Sequence, residues 1–123
     1  IDSNQAIAAN NLAYLMVENG ENSDVALSYA QTARRAMPQA PNTADTLAWV
    51  YYHKGTYSLA RDLLQDATKQ DPNNASIHLH LGLTLSKLGD KAGASAELKK
   101  ASELAPNTQT GKDANDALSH LGM

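Results

Sequence analysis

The histidines and carboxylates are the residues of this 123-residue chain that could support metal or acid–base chemistry. His78 and His80 stand two positions apart, and on a helix that spacing turns the two rings toward different sides. His53 and His80 could approach each other, but no carboxylate or cysteine completes a metal-binding set around them. We therefore expect no metal site, no cofactor and no catalytic residue in this chain.

The acidic residues of the first half do not suggest an enzyme either. A general acid and a general base need a cleft and a defined separation. We interpret the following carboxylates as solvated or helix-capping groups: Glu18, Glu21, Asp24 and Asp45. Gly20, Gly55 and Gly89 are single glycines that favour turns, so they do not form a phosphate-binding loop.

Composition excludes further classes of function. The net charge is −3 and the charges are scattered, whereas nucleic-acid binding needs a concentrated basic face. No segment approaches the roughly 20 apolar residues of a membrane helix, so we expect no membrane insertion. The absence of cysteine excludes disulfides. It does not decide between a cytoplasmic location and a periplasmic or envelope-associated one for this soluble domain. The chain begins with Ile1, which predicts a processed chain or an excised piece of a longer protein.

A repeat of 34 residues organises the chain. Pro38, Pro72 and Pro106 are 34 residues apart. The same interval separates two sets of alanines: Ala26, Ala60 and Ala94, and Ala33, Ala67 and Ala101. A fixed period of this length predicts stacked units of one supersecondary element. Such arrays usually present a surface to a partner.

Each period contains two helical patterns. In the third unit, apolar residues at intervals of four and three define two helix faces: Leu81, Leu85 and Leu88, then Ala94, Leu98 and Ala101. The first helix of the chain is predicted from about Ser3 to Asn19, with these residues facing inward: Ala9, Leu12, Ala13 and Met16. The first turn holds one residue more than the later turns, because Gly20 is six residues before Ala26.

Capping residues predict where several helices begin. Thr56 and Asp90 are expected to cap second helices, and Asn74 is expected to cap a first helix. Two pairs resemble capping boxes: Asn42 with Asp45, and Thr110 with Asp113. The second pair would open a final helix over residues 111–121 that covers the last repeat with its apolar residues, Ala114, Ala117, Leu118 and Leu121.

These repeats resemble tetratricopeptide repeats, whose 34-residue units have a W-x2-L-G-x2-Y first helix and an A-x3-F-x2-A-x4-P second helix. The third unit matches at Leu81, Gly82, Gly89, Ala94, Ala101 and Pro106. The resemblance implies an all-α fold, a right-handed superhelix of three helix-turn-helix units over about residues 6–40, 41–74 and 75–108. A seventh, capping helix would complete a single domain over residues 1–123. The short sequences around Leu12 and Leu47 also resemble repeats of bacterial exopolysaccharide-associated tetratricopeptide lipoproteins.

The family fold implies that the first helices line a concave face. The partner-binding residues would then be those that the core leaves free: Asn10, Asn11, Tyr14, Asp45, Thr46, Trp49, Tyr52, His53, Leu79, His80, Leu83 and Lys87. Trp49 and Tyr52 have the character of binding anchors, and the asparagines suit an extended peptide backbone. The alternative is that Trp49 packs against the next repeat and that the asparagines are only polar surface.

One known specificity of the family can be excluded. Members that bind chaperone tails hold the terminal carboxylate with Lys and Asn on the first helices. The corresponding positions here are Asn10, Tyr14, Thr46, Ser76 and His80, without a basic donor. We therefore predict a non-enzymatic module for protein–protein interaction that binds a peptide or partner segment in its groove. The alternative is a structural segment of a longer solenoid or a self-associating scaffold, with bacterial exopolysaccharide export or assembly as one setting.

Overall fold

Seven α-helices make up the computed structural model, which describes residues 2–121. Their bounds are α1 Ser3–Glu18, α2 Ser23–Ala36, α3 Pro41–His53, α4 Tyr57–Gln70, α5 Ala75–Lys87, α6 Lys91–Leu104 and α7 Gln109–His120. The described residues contain no strand, which confirms the all-α prediction. None of these seven helices has both the length and the apolar character needed to cross a lipid bilayer.

The helices form three hairpins, α1 with α2, α3 with α4 and α5 with α6, and each hairpin packs on the next. The three turn glycines have positive φ angles: 68° at Gly20, 81° at Gly55 and 85° at Gly89. Residues with a Cβ atom avoid this conformation, which confirms the predicted role of these glycines. The extra residue of the first turn also lies where expected, since two residues separate Gly20 from α2 and only Thr56 separates Gly55 from α4.

Three of the predicted caps occupy the expected positions. The Asn74 side chain accepts a hydrogen bond from the Ile77 N–H at 3.2 Å, and Asp90 accepts one from the Gly93 N–H at 2.9 Å. Thr56 stands at the start of α4, but its side chain caps no backbone group. The hydrogen bonds to Asn74 and Asp90 satisfy backbone N–H groups that the start of a helix otherwise leaves unpaired.

The predicted capping box of Asn42 and Asp45 is wrong. The helix α3 already begins at Pro41, so both residues lie inside it, and Ala40 precedes it without a side-chain cap. Proline is favoured at a first helical position because its fixed φ suits the helix and its missing N–H costs nothing there. The preference of Pro41 for the first helical position therefore decides where α3 begins, rather than the capping-box pattern of Asn42 and Asp45.

The helix α7 also starts earlier than predicted. Thr108 caps it by accepting a hydrogen bond from the Gly111 N–H at 3.1 Å, so Thr110 and Asp113 lie inside the helix. The helix packs against α6 and α5. Its inner face contains the four predicted residues: Ala114 and Leu121 are buried, and Ala117 and Leu118 are partly buried against the same cluster.

The prediction that Leu12 faces inward is wrong. Leu12 is 42% exposed, whereas the residues at the same place in the next two units, Leu47 and Leu81, are 7% and 2% exposed. Leu47 belongs to a buried cluster with residues of α1 and α2. The position is therefore buried by the preceding hairpin, and no hairpin precedes Leu12 within the described residues.

Candidate functional site

The first helices of the hairpins form one layer, because α1 contacts α3, α3 contacts α5 and α5 contacts α7. This layer encloses a cavity of about 410 Å³, here called the central pocket. Its lining residues are Tyr14, Glu18, Trp49, Ser76, Leu79, His80, Leu83, Gln109, Thr110 and Asp113. Five of them belong to the predicted site: Tyr14, Trp49, Leu79, His80 and Leu83.

Trp49 and His80 form one wall of the central pocket and belong to a larger stack of rings. Trp49 lies between Tyr52 and His80, with centroid distances of 4.7 and 4.0 Å and interplanar angles of 15° and 20°. His53 meets Trp49 edge-on at 4.7 Å. Only 8% of Trp49 is exposed, so contacts with neighbouring residues cover most of its surface. The indole therefore supports the wall of the pocket and shows only part of its surface to it.

His80 is held by a buried carboxylate. Its Nδ1 lies 2.6 Å from Oδ1 of Asp45, and both residues are buried. The interpretation of Asp45 as a solvated or capping group is wrong, because α3 faces α5 at this point. A carboxylate on one ring nitrogen fixes the orientation of an imidazole. Asp45 thus positions His80 against Trp49.

Glu18 has a role that sequence reasoning missed. The carboxylate is exposed, as predicted, but its Oε1 accepts a hydrogen bond from Nε1 of Trp49 at 3.0 Å. Burial, followed by the adjacent Glu18 carboxylate, raises the pKa of Tyr14 well above its usual range, and the charges of Asp45 and Asp113 act in the same direction. The three carboxylates therefore all disfavour the charged form of Tyr14.

A second, more open cavity of about 480 Å³ adjoins the first at Tyr14 and is here called the amide pocket. Its lining residues are Asn10, Asn11, Tyr14, Leu15, Asn42 and Thr46. Asn10 is 6% exposed, and its Oδ1 has no hydrogen-bond partner among residues 2–121. An unpaired buried acceptor costs roughly 1–3 kcal/mol. Because this oxygen is also closed to solvent, a ligand donor in the pocket reaches it only after the Asn10 side chain turns toward the cavity.

Four of the predicted residues line neither cavity. Asp45 is paired with His80, Tyr52 and His53 pack on Trp49, and Lys87 is exposed. No group of three or more His, Cys, Asp or Glu side chains within residues 2–121 could hold a metal ion.

The α7 residues of the central pocket were not predicted, although the period contains the signal. Ala75 begins α5 and Gln109 begins α7, which is one interval of 34 residues. The helix α7 therefore occupies the position that the first helix of a fourth repeat would have. Gln109, Thr110 and Asp113 face the pocket for the same reason that Ser76 and Leu79 do.

Two family models match the chain, one described as TPR repeat over residues 49–89 and one as Tetratricopeptide repeat over residues 75–108. Together with the repeated helical hairpins, they decide the family. The chain is a tetratricopeptide repeat protein. A search of curated proteins found no significant match. The narrower likeness of this tetratricopeptide repeat protein to exopolysaccharide-associated lipoproteins stays a prediction.

Solved structures share the fold of this tetratricopeptide repeat protein at low identity. The first TPR of Spaghetti (RPAP3) bound to the HSP90 peptide SRMEEVD has a TM-score of 0.84 and 18% identity, over 99% of this chain and 94% of that one. The type III secretion chaperone SycD of Yersinia enterocolitica, with a peptide of the translocator YopD, has a TM-score of 0.79 and 20% identity, over 98% and 91%. The second TPR domain of human RPAP3, with the HSP70 peptide SGPTIEEVD, has 0.79 and 18%, over 97% and 96%.

Proposed function

We propose that this chain is a non-enzymatic module that binds an extended segment of a partner protein along the layer of first helices. The segment would cross the amide pocket and the central pocket, which meet at Tyr14. Peptide complexes of RPAP3 and SycD, which have the same fold, support a peptide ligand. No arrangement of nucleophile, acid and base among residues 2–121 favours catalysis.

The amide pocket, with the buried side chain of Asn10 in its wall, is the observation that carries this proposal. A folded protein rarely leaves a buried acceptor unpaired, and Oδ1 of Asn10 has no partner among residues 2–121. Asn11, Asn42 and Thr46 surround the same cavity and can both donate and accept hydrogen bonds. A peptide backbone presents N–H and C=O groups alternately, so it matches a cavity lined by such side chains.

A phage-displayed library of random 12-residue peptides tests the proposal. We expect the wild type to enrich peptides, and Asn10→Ala to bind the enriched peptides at least tenfold more weakly. Asn115→Ala is the matched control, because Asn115 is exposed, lines neither cavity and accepts a hydrogen bond from Ser102. Failure of the wild type to enrich any peptide, or equal affinity of the Asn10 variant, would refute the proposal.

A second candidate function is supported by the exposed face of the first hairpin, and it corresponds to the structural alternative. A cavity of about 370 Å³ on this face is lined by Gln5, Ala8, Ala9, Leu12, Ser28, Tyr29 and Thr32. Leu15 on the same helix is 58% exposed, whereas Val50 and Thr84 at the same place in the later units are fully buried. We propose that the second helix of a preceding tetratricopeptide unit covers this face in a longer solenoid.

A designed fusion tests this second candidate. A copy of residues 41–74 placed directly before Ala6 would put its second helix over Leu12. We expect the fusion to have a higher melting temperature than the original chain, and Leu12→Lys to remove that gain while it barely affects the unfused chain. A Lys substitution that costs both proteins equally would contradict the proposal, because Leu12 would then be buried in neither or in both.

A further inference from the structure

We propose that the central pocket selects a cationic side chain, Lys or Arg, from the bound segment. The proposal rests on the proposed function, since it presumes a bound segment in the groove. It specifies the chemical class of the ligand side chain that the central pocket recognises. Charge complementarity between the pocket and its ligand carries it.

Two carboxylates line the pocket without a cation beside them. Glu18 comes from α1 and Asp113 comes from α7, the first and the last helix of the layer. Within residues 2–121 neither forms a salt bridge, and no Lys or Arg lines the pocket. His80 also lines it, but the ring is paired with Asp45, so the pair has no net positive charge in either state of the ring.

Hydrogen bonds hold both carboxylates in position. Glu18 accepts from Nε1 of Trp49 at 3.0 Å, and Asp113 accepts from Nε2 of Gln109 at 2.8 Å. A carboxylate has about four lone-pair sites, so each retains capacity for a ligand. A guanidinium or ammonium group makes charge-assisted hydrogen bonds to such oxygens, which are about twice as strong as neutral ones.

The rest of the lining suits the other parts of a long basic side chain. Tyr14 offers an aromatic ring whose face attracts a cation, whereas Tyr52 and His80 already cover the faces of Trp49. Leu79 and Leu83 provide apolar surface for the methylene groups of Lys or Arg. The volume of about 410 Å³ falls in the range of cavities that hold whole small ligands, so one side chain fits with room to spare.

The potential at Tyr14 supports the same conclusion from a different observation. The charges of Glu18, Asp45 and Asp113 all raise the pKa of the Tyr14 hydroxyl, after burial as the largest cause. The hydroxyl therefore stays neutral and adds no charge of its own. A cation entering the pocket would experience the same field with the opposite, favourable sign.

The experiment repeats the 12-residue phage selection with a double variant, Glu18→Gln with Asp113→Asn, which removes two charges and keeps the shapes. The matched control is Glu21→Gln with Asp116→Asn, which removes two exposed carboxylates that do not line the pocket. We expect wild type and control to enrich Lys or Arg at one fixed peptide position at least fivefold over the starting library. The double variant should still enrich peptides, but without that preference.

The outcomes separate this inference from the proposed function. Enrichment of peptides without a basic residue by the wild type, or an unchanged preference in the double variant, would overturn the inference and leave the proposed function standing. Failure of wild type and variants to enrich any peptide would overturn both. As a second readout, citrulline in place of Arg in the best peptide should weaken binding to the wild type at least tenfold, and binding to the double variant less than twofold.

Discussion

The rings of Trp49 and His80 lie nearly parallel, with centroids 4.0 Å apart and an angle of 20° between their planes. This contact joins α3 to α5 and forms a wall of the central pocket. Asp45 fixes one ring through Nδ1 of His80, and Glu18 fixes the other through Nε1 of Trp49. The wall is therefore held in place before any ligand arrives, which lowers the entropic cost of binding.

We expect Asp45→Ala to lower the free energy of unfolding by about 1–3 kcal/mol, because Nδ1 of the buried His80 would lose its partner. Chemical denaturation of both single variants and the double variant with His80→Phe would measure the coupling. With the imidazole removed, Asp45→Ala should cost clearly less. The same loss in both backgrounds would show that the pair contributes nothing.

The sequence predicts that Gly93→Ala stabilises the domain, since glycine costs up to about 1 kcal/mol in a helix. In the structure, however, a Cβ atom at residue 93 would lie 2.4 Å from Oδ2 of Asp90, the residue that caps α6. We therefore expect the gain in unfolding free energy to be small in the wild type and larger in an Asp90→Ala background. Equal gains in the two backgrounds would show that the cap adjusts at no cost.

We expect no binding of the peptide SRMEEVD at concentrations up to about 1 mM, the weak end of the affinity scale. The central pocket is lined by Glu18 and Asp113 and by no Lys or Arg, so an acidic tail meets charges of its own sign. Isothermal titration calorimetry would measure this, with the first TPR of Spaghetti (RPAP3) as the positive control. Micromolar affinity would contradict both this prediction and the proposed selection of cations.

His53 should titrate below its ordinary pKa of 6.5, because burial of the ring disfavours its charged form. The Glu18 carboxylate opposes this shift, so Glu18→Gln should lower the midpoint further. A ring with a lowered pKa adds stability above pH 6.5 and loses that contribution as the pH falls through the folded-state pKa. Ring proton shifts followed by NMR would measure both midpoints, and a rise in the variant would contradict the assignment of Glu18.

The period of the sequence predicted the helices, the turn glycines and the family, because these features depend on local backbone preferences and on spacing. The exposures of Leu12 and Trp49 were not predictable in the same way. They depend on whether a neighbouring hairpin or ring covers the side chain, which a helix face alone does not specify. The partners of Asp45 and Glu18 were missed because each bond joins helices that are distant in the chain.

The place of α7 in the layer separates the part of the protein that stabilises the repeats from a part that shapes recognition. Asp113 stands on a helix of 12 residues that contacts only the last hairpin. A change of a few side chains on this helix could alter which segment the groove accepts, while the three hairpins keep their packing. Relatives with the same repeats and a different terminal helix would then share an architecture and differ in what they bind.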